Sequence, residues 1–182
     1  RRFADQGFSA CALEASSIGL VEQRLAGARI AVAVFTNFTR DHLDFHGTME
    51  DYEAAKAMLF DWPGLQHAVI NLDDAMGVRM LERVRHRQPA VGAIAYTTEG
   101  VHAQGVPTLS ATDIRIGQHG TTFTLDSPYG HGAVRTQLIG RFNVSNVLAI
   151  AGVLFARGMS WSTVVHLLEA LVPVPGRIQQ LG

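Results

Sequence analysis

Short apolar runs alternate with stretches of helical periodicity along the first hundred residues. Four runs have the composition of strands: 8–13, 30–35, 68–72 and 91–96. They are nearly continuous rather than alternating, which is typical of strands covered on both faces. Two stretches between them, 48–62 and 75–87, have apolar residues at helical spacing. Strands that alternate with helices predict an α/β fold with a mostly parallel, doubly wound sheet and flanking helices.

The pattern changes beyond this region. Three segments of strand composition follow one another closely, separated by turn sequences that contain glycine: 114–116, 121–125 and 133–139. This spacing predicts a small antiparallel β meander. Two helices are predicted after it, over 143–157 and from a cap at Ser160 to about Leu171.

Composition and charge narrow the class of protein. The chain has 182 residues, of which 47% are hydrophobic and 17% charged, so it suits one globular domain with a real core. A net charge of -1 offers no basic field, so neither nucleic-acid binding nor membrane insertion is predicted. The single cysteine, Cys11, allows no disulfide within the chain, which fits the cytoplasm. Its apolar neighbours predict that Cys11 is buried.

Polar clusters follow three of the predicted strands. Their members are Glu14, Ser16 and Ser17 after the first strand, Thr36 and Asn37 after the second, and Asn71, Asp73 and Asp74 after the third. Ligands of open α/β sheets bind outside the carboxyl ends of the strands, so three clusters at one edge suggest a site. Solvated loop ends would give the same pattern, and position alone leaves both interpretations open.

The densest polar segment, residues 40–47, holds two histidines and two acids. Histidine and carboxylate are common metal ligands, so the segment suits metal or phosphate chemistry, and a loop that caps a helix is an equal alternative. A metal-dependent hydrolase is a second functional hypothesis, although the segment lacks a His-x-His pair.

The helix predicted after this segment contains an unusual lysine. Thr48 and Asp51 form a capping box that starts the helix. Lys56 then shares an apolar face with Tyr52 and Phe60. Such a lysine either extends to solvent or is held in a dry site where its amine can react.

A pair of asparagines lies at the start of the next-to-last helix. Asn143 and Asn146 are three residues apart and therefore share a face. They are either helix caps or amides that bind the edge of a base.

Together these segments resemble the Mur ligase family, most closely its UDP-N-acetylmuramoyl-tripeptide synthetase type. The resemblance rests on four motifs in family order: EASS at 14–17, TNFTRDHLDFHG at 36–47 with YEAAK at 52–56, GRFNVSN at 140–146, and PGR at 175–177. It implies that residues 1–172 are the central, ATP- and metal-handling domain and that residues 173–182 are a hinge toward a further domain.

The resemblance also implies roles for particular residues. Lys56 is similar to a lysine that the family carries as a carbamate, and with His42 it is implied to be catalytic. The implied sets are Glu14, His42 and Lys56 for Mg²⁺, Ser16, Glu22 and Arg24 for the UDP-MurNAc-peptide, and Asn37, Asn143 and Asn146 for ATP.

The implied reaction is amide-bond formation in peptidoglycan precursor synthesis. ATP phosphorylates the terminal carboxylate of UDP-MurNAc-L-Ala-D-Glu, and a diamino acid, meso-diaminopimelate or L-lysine, then attacks the acyl phosphate. A non-catalytic nucleotide-binding module remains a third hypothesis beside the ligase and the hydrolase.

The two ends suggest a piece of a longer protein. The sequence begins at Arg1 without Met and ends at Gly182 just after a Pro/Gly segment. We expect the family's phosphate loop to lie upstream and the domain for the incoming amino acid to lie downstream. We therefore expect this piece alone to be inactive.

Overall fold

A six-stranded sheet forms the centre of the computed structural model, which describes residues 5–173. The strands are β1 (Val32–Phe35), β2 (His67–Asn71), β3 (Gly92–Thr97), β4 (Thr108–Gly117), β5 (Gly120–Ser127) and β6 (Gly130–Thr136). They lie in the sheet in the same order as in the chain. The first four are parallel to one another, and β4, β5 and β6 are antiparallel.

Six α-helices occur within the described residues: α1 (Ser17–Val21), α2 (Leu43–His46), α3 (Met49–Ala57), α4 (Ala75–Arg85), α5 (Arg141–Ala156) and α6 (Trp161–Glu169). A 3-10 helix at Met58–Asp61 extends α3. None of these helices is both long enough and apolar enough to cross a membrane.

Helices cover both faces of the parallel strands. Val69 and Ile94 belong to the core that faces α5 and α6, whereas Ala68, Ile70 and Ala95 belong to the core that faces α4 and the 3-10 helix. Successive side chains of a strand point to opposite faces, so both sets must be apolar. This confirms the predicted mostly parallel sheet with helices on either side.

The predicted meander is present, but it continues the main sheet. The first part of β4, residues 108–110, pairs with β3, and the rest pairs with β5. A bulge between Thr112 and Arg115 separates the inner part of the strand from its exposed end. The sequence signal missed the inner part because buried Thr108 and Ser110 interrupt its apolar residues.

The prediction of a buried strand over residues 8–13 is wrong. Those residues form no strand, and Phe8 and Leu13 are 61% and 56% exposed. A strand needs a hydrogen-bonded neighbour, and no described strand pairs with this segment, so its apolar composition is not sufficient. The predicted burial of Cys11 is wrong for the same reason, and its side chain is exposed.

Helix boundaries differ from prediction by a few residues. The predicted helix over 48–62 ends its α-helical part at Ala57 and tightens into the 3-10 helix, whose C-cap Trp62 adopts an extended ψ of 135° before Pro63. A residue before proline is disfavoured in the helical region, which explains the stop. Most of the predicted hinge, residues 174–182, lies outside the described residues.

Candidate functional site

Tyr52 on α3 is the centre of a group of side chains at the carboxyl end of β1. Its own side chain is buried, with 4% exposed. Ring centroids of Phe38, His46 and His42 lie 4.8, 5.1 and 5.9 Å from that of Tyr52. The Lys56 Nζ atom lies 5.1 Å from the same ring centroid. We call these five side chains the Tyr52 cluster.

The segment before α3 folds so that both histidines meet Tyr52. His42 adopts a left-handed backbone conformation, with φ 54° and ψ 23°, and its N–H donates to Asp41 Oδ1 at 2.8 Å. α2 then makes a single turn and ends at Gly47, whose φ is 78°. Thr48 caps α3 by accepting the Asp51 N–H at 3.1 Å, as the capping box predicts.

Lys56 is half-buried, and its ammonium has an unusual neighbourhood. Within residues 5–173 it makes no ion pair, and its Nζ atom lies over the face of Tyr52. Buried ammonium groups usually have a charged or hydrogen-bonded partner, so this lysine is held in place without compensation from a carboxylate. The contact with Tyr52 places Lys56 on the apolar face of α3, as the helical spacing predicts.

Whether the Tyr52 cluster suits a metal ion depends on the metal-ligating side chains that it contains. Among the described residues no three His, Cys, Asp or Glu side chains converge as a metal site. With Lys56 as an ammonium, the cluster would repel a cation. The residues fit Mg²⁺ only if Lys56 supplies oxygen donors, as a carbamate would, beside His42 and Glu14.

The helix α1 is joined to the Tyr52 cluster through a buried serine. Ser17 is 2% exposed, and its Oγ lies 2.9 Å from His46 Nε2. Ser16 caps α1 by accepting the Gly19 N–H at 3.0 Å. Glu14 lies exposed just before this helix. The structure therefore brings the EASS segment next to the helix that carries Lys56.

Two other predicted substrate residues lie at the far end of α1. Glu22 is its C-cap residue, and its carboxylate pairs with Arg24 at 2.5 Å. Their side chains are 43% and 64% exposed, so both remain accessible to an anionic ligand. The predicted ATP residue Asn37 is exposed in the loop after β1.

The third polar cluster, whose role the sequence left open, holds the carboxyl edge of the sheet together. Asn71 Nδ2 donates to the Thr36 carbonyl at 2.7 Å. Asp73 accepts the Thr98 N–H at 2.7 Å. Asp74 caps α4 by accepting the Met76 N–H at 2.8 Å, and it also accepts the Phe38 N–H at 2.6 Å. These groups tie together the loops after β1, β2 and β3, and Asp74 holds Phe38 near Tyr52.

Asn143 and Asn146 share a face of α5, as predicted, but neither caps it. The N-cap is Gly140, with φ 105°. Asn143 Nδ2 donates to the Ile139 carbonyl at 2.9 Å, and Asn146 Nδ2 lies 3.4 Å from Asn143 Oδ1. Within the described residues, no hydrogen bond links this pair to the Tyr52 cluster.

The structure therefore brings His42 and Lys56 to the same ring, that of Tyr52, and it brings Ser16 close through its neighbour Ser17. The sequence placed Ser17 in a polar cluster and His46 in the segment of the hydrolase hypothesis with His42, but it predicted no contact between them and gave Tyr52 no role beyond the apolar helix face. Helical spacing had placed Tyr52 on the Lys56 face, so a signal for it existed. No local pattern signals the contact of Ser17 with His46, because 29 positions separate them.

The fold is that of an α/β domain whose polar loops gather at the carboxyl edge of its parallel strands, which is where open sheets of this kind bind ligands. The model of the Mur ligase middle domain matches residues 1–154, and the chain belongs to this family. This confirms the resemblance that the four motifs indicate.

Comparison with curated proteins gives close relatives. One from Janthinobacterium sp. (strain Marseille), named UDP-N-acetylmuramoyl-L-alanyl-D-glutamate–2,6-diaminopimelate ligase, is 59% identical over 97% of this chain. One of the same name from Ralstonia nicotianae is 46% identical, also over 97% of the chain. The chain spans only 35% and 34% of these two relatives.

Solved structures share the fold. A structure of a ligase with that name superposes with a TM-score of 0.88 and 37% identity, covering 98% of this chain and 36% of the other. MurF from Acinetobacter baumannii superposes with a TM-score of 0.70 at 23% identity, over 84% of this chain and 31% of its own, which supports the fold alone.

Proposed function

We propose that the protein containing this chain is an ATP-dependent ligase that adds 2,6-diaminopimelate to UDP-MurNAc-L-Ala-D-Glu in peptidoglycan precursor synthesis. The names of the relatives support the reaction, and they favour diaminopimelate over L-lysine as the diamino acid. In the chain itself, the observation that supports it best is the half-buried Lys56, which pairs with no carboxylate among residues 5–173 and lies over Tyr52, the ring that also contacts His42. Because ATP is a co-substrate, we assign the protein to the cytoplasm.

In this proposal Lys56 carries a carbamate. Addition of carbon dioxide to the neutral amine releases a proton and replaces a positive group by an anion with two oxygen donors. The carbamate, His42 and Glu14 would then hold Mg²⁺, since hard cations prefer oxygen donors. Bound Mg²⁺ would supply charge neutralisation between the ATP phosphates and the acceptor carboxylate.

The remaining predicted residues would bind and orient the two substrates. The accessible side chains of Ser16, Glu22 and Arg24 would contact the UDP-MurNAc-peptide. The amides of Asn143 and Asn146 offer donors and acceptors to adenine, and Asn37 would contribute from the loop after β1. Their task is alignment, because transfer of a phosphoryl group to a carboxylate requires two anions to be held close together.

The proposed reaction has two steps. The acceptor carboxylate oxygen attacks the γ-phosphorus of ATP, and ADP leaves. The amine of diaminopimelate then attacks the acyl carbon, the C–O bond to phosphate breaks, and the nitrogen loses a proton. One ATP is consumed for each amide bond formed.

The proposal is tested by phosphate release from ATP by the full-length protein, with and without UDP-MurNAc-L-Ala-D-Glu and diaminopimelate. We expect release only when both the dipeptide substrate and diaminopimelate are present. We also expect a loss of at least about 100-fold in Lys56→Ala, because removing one group that stabilises transition-state charge costs about that much. Lys56→Ala with unchanged release would remove Lys56 from the mechanism, and release without the dipeptide would contradict the ligase.

A further inference from the structure

We infer that His46 is a positioning residue that fixes the EASS segment relative to the helix that carries Lys56. His46 Nε2 lies 2.9 Å from Ser17 Oγ on α1, and its ring stacks on Tyr52 of α3 at 5.1 Å with an interplanar angle of 23°. One side chain from α2 therefore joins the helices on either side of the site. The inference rests on the proposed function only for its catalytic consequence.

Both partners of His46 are fixed by burial. Ser17 is 2% exposed and Tyr52 is 4% exposed. The hydrogen bond acts in the plane of the imidazole and the stacking acts perpendicular to it, so together they restrain the ring in two perpendicular directions. Breaking the contact would leave the buried Ser17 hydroxyl without a hydrogen-bond partner, and this would lower the stability of the folded protein.

The same contact supports α2. This helix has only four residues, Leu43–His46, and none of them is buried. Helices this short are not stable through their own hydrogen bonds. His46 is therefore an anchor of the turn that presents His42 to Tyr52, and its loss would release His42 as well as α1.

The geometry gives His46 a function at the site. Glu14 and Ser16 lie at the start of α1, whereas Lys56 lies on α3 and His42 just before α2. The metal-binding set proposed above is thus divided between two sides that His46 joins. Loss of the contacts of His46 with Ser17 and Tyr52 would weaken metal binding and lower kcat. Asn143 and Asn146 on α5 would still bind adenine.

Three substitutions in the full-length protein separate the hydrogen bond to Ser17 from the stacking on Tyr52. His46→Gln retains a hydrogen-bonding group near the Nε2 position, His46→Phe retains an aromatic ring without the bond, and Ser17→Ala removes the partner. His46→Phe with Ser17→Ala completes a double-mutant cycle. His86→Gln is the matched control, because the His86 side chain is 83% exposed on α4 and outside the Tyr52 cluster.

Mn²⁺ affinity, measured by electron paramagnetic resonance with a non-hydrolysable ATP analogue and bicarbonate, is the first readout. We expect His46→Phe and Ser17→Ala each to weaken it about tenfold and the double variant to be no weaker than either. His46→Gln should weaken it less than His46→Phe, because it keeps the hydrogen bond and loses only the stacking, and His86→Gln should match the parent. Steady-state kinetics of the same proteins should show a lower kcat and a nearly unchanged KM for ATP.

Two results would overturn the inference. The first is His46→Phe with the Mn²⁺ affinity of the parent. The second is a double variant whose loss is the product of the single losses, because independent effects would mean that the two side chains do not act through their contact. The urea midpoints of all variants should show the same coupling. If the parent binds Mn²⁺ but makes no amide product, the proposed function fails while coupling in urea still supports the positioning contact.

Discussion

Lys56 is the residue on which the proposed chemistry depends most, and its modification can be observed directly. The full-length protein equilibrated with ¹³C-bicarbonate should give a carbamate carbonyl signal in ¹³C NMR, because carbon dioxide that adds to the Lys56 amine forms a new carbonyl group. Lys56→Arg keeps the positive charge but cannot form the adduct, so the signal should vanish. Persistence of the signal in Lys56→Arg would assign the carbamate to another amine.

Gly77 is a position at which the fold leaves no room for a side chain. A Cβ atom there would lie 1.8 Å from the Asn71 carbonyl oxygen and 3.2 Å from Phe35 Cε1. The glycine lets α4 approach the end of β2, where Asn71 and Asp74 tie the loops of the site. A substitution would push the helix off the sheet.

We therefore expect Gly77→Ala to lower the free energy of unfolding by about 3 kcal/mol, despite the better helix propensity of alanine. Urea denaturation measures the change. Val78→Ala is the matched control on the same helix, since Val78 is 43% exposed, and it should change the free energy by less than about 1 kcal/mol. Equal effects of the two substitutions would show that helix α4 can shift freely.

Among the elements, the support of α3 by α4 is the most relevant to the site. Arg79 pairs with Glu53 of α3 at 2.5 Å, and Arg83 pairs with Asp61 of the 3-10 helix. Arg87, just after α4, donates to the Phe60 carbonyl at 2.6 Å. These contacts are spaced four residues apart, so they fall on one side of the element that backs the Lys56 helix.

Arg87 should contribute most among these arginines, because its guanidinium is half-buried and satisfies carbonyl groups at a helix end. We expect Arg87→Ala to destabilise the protein by about 2 kcal/mol, as charge-assisted hydrogen bonds do. Arg85→Ala removes an exposed pair with Glu82 and should cost less than about 0.5 kcal/mol. Thermal unfolding of both variants tests this order, and an equal loss would contradict it.

The Arg79–Glu53 pair should make stability depend on pH. The hydrogen bond from Arg79 lowers the pKa of Glu53 below 4.5 in the folded protein. A carboxyl whose pKa is lowered on folding stabilises above its unfolded pKa, and that stabilisation is lost as the pH falls through the folded pKa. The pair is partly exposed, so its contribution is only about 0.5 kcal/mol.

Glu53→Gln should accordingly be slightly less stable than the parent at pH 7, and the difference should disappear in acid, below the lowered pKa. Urea midpoints of both proteins across this range give the comparison. A difference that grows as the solution becomes more acidic would have the wrong sign for this pair.

Across the whole molecule, the sequence predicted what depends on local pattern. Continuous runs such as 68–72 indicated strands covered on both faces, and Thr48 and Ser160 both cap helices as predicted. Residues 8–13 have the same kind of pattern, but none of the six described strands pairs with them, so they were predicted wrongly. Pairing is a property of the sheet, and composition does not contain it.

The site residues, too, were predictable only where the signal is local in the sequence. The dense polar segment and the apolar helix face indicated His42 and Lys56, because both signals are local. The contact of Ser17 with His46, and the ties that Asn71 and Asp74 make to the loop after β1, join residues far apart in the chain. The roles of Ser16, Glu22, Arg24, Asn37, Asn143 and Asn146 in binding stay predictions.

The mass of the nucleotide product decides whether the protein is the proposed ligase and which diamino acid it adds. The full-length protein is incubated with ATP, Mg²⁺, bicarbonate and UDP-MurNAc-L-Ala-D-Glu, and with diaminopimelate or L-lysine in separate reactions. We predict that the UDP-sugar gains one diaminopimelate residue joined by loss of water, and that it remains unchanged with L-lysine. A product extended by L-lysine alone would contradict the assigned diamino acid, and no extension with either would contradict the ligase.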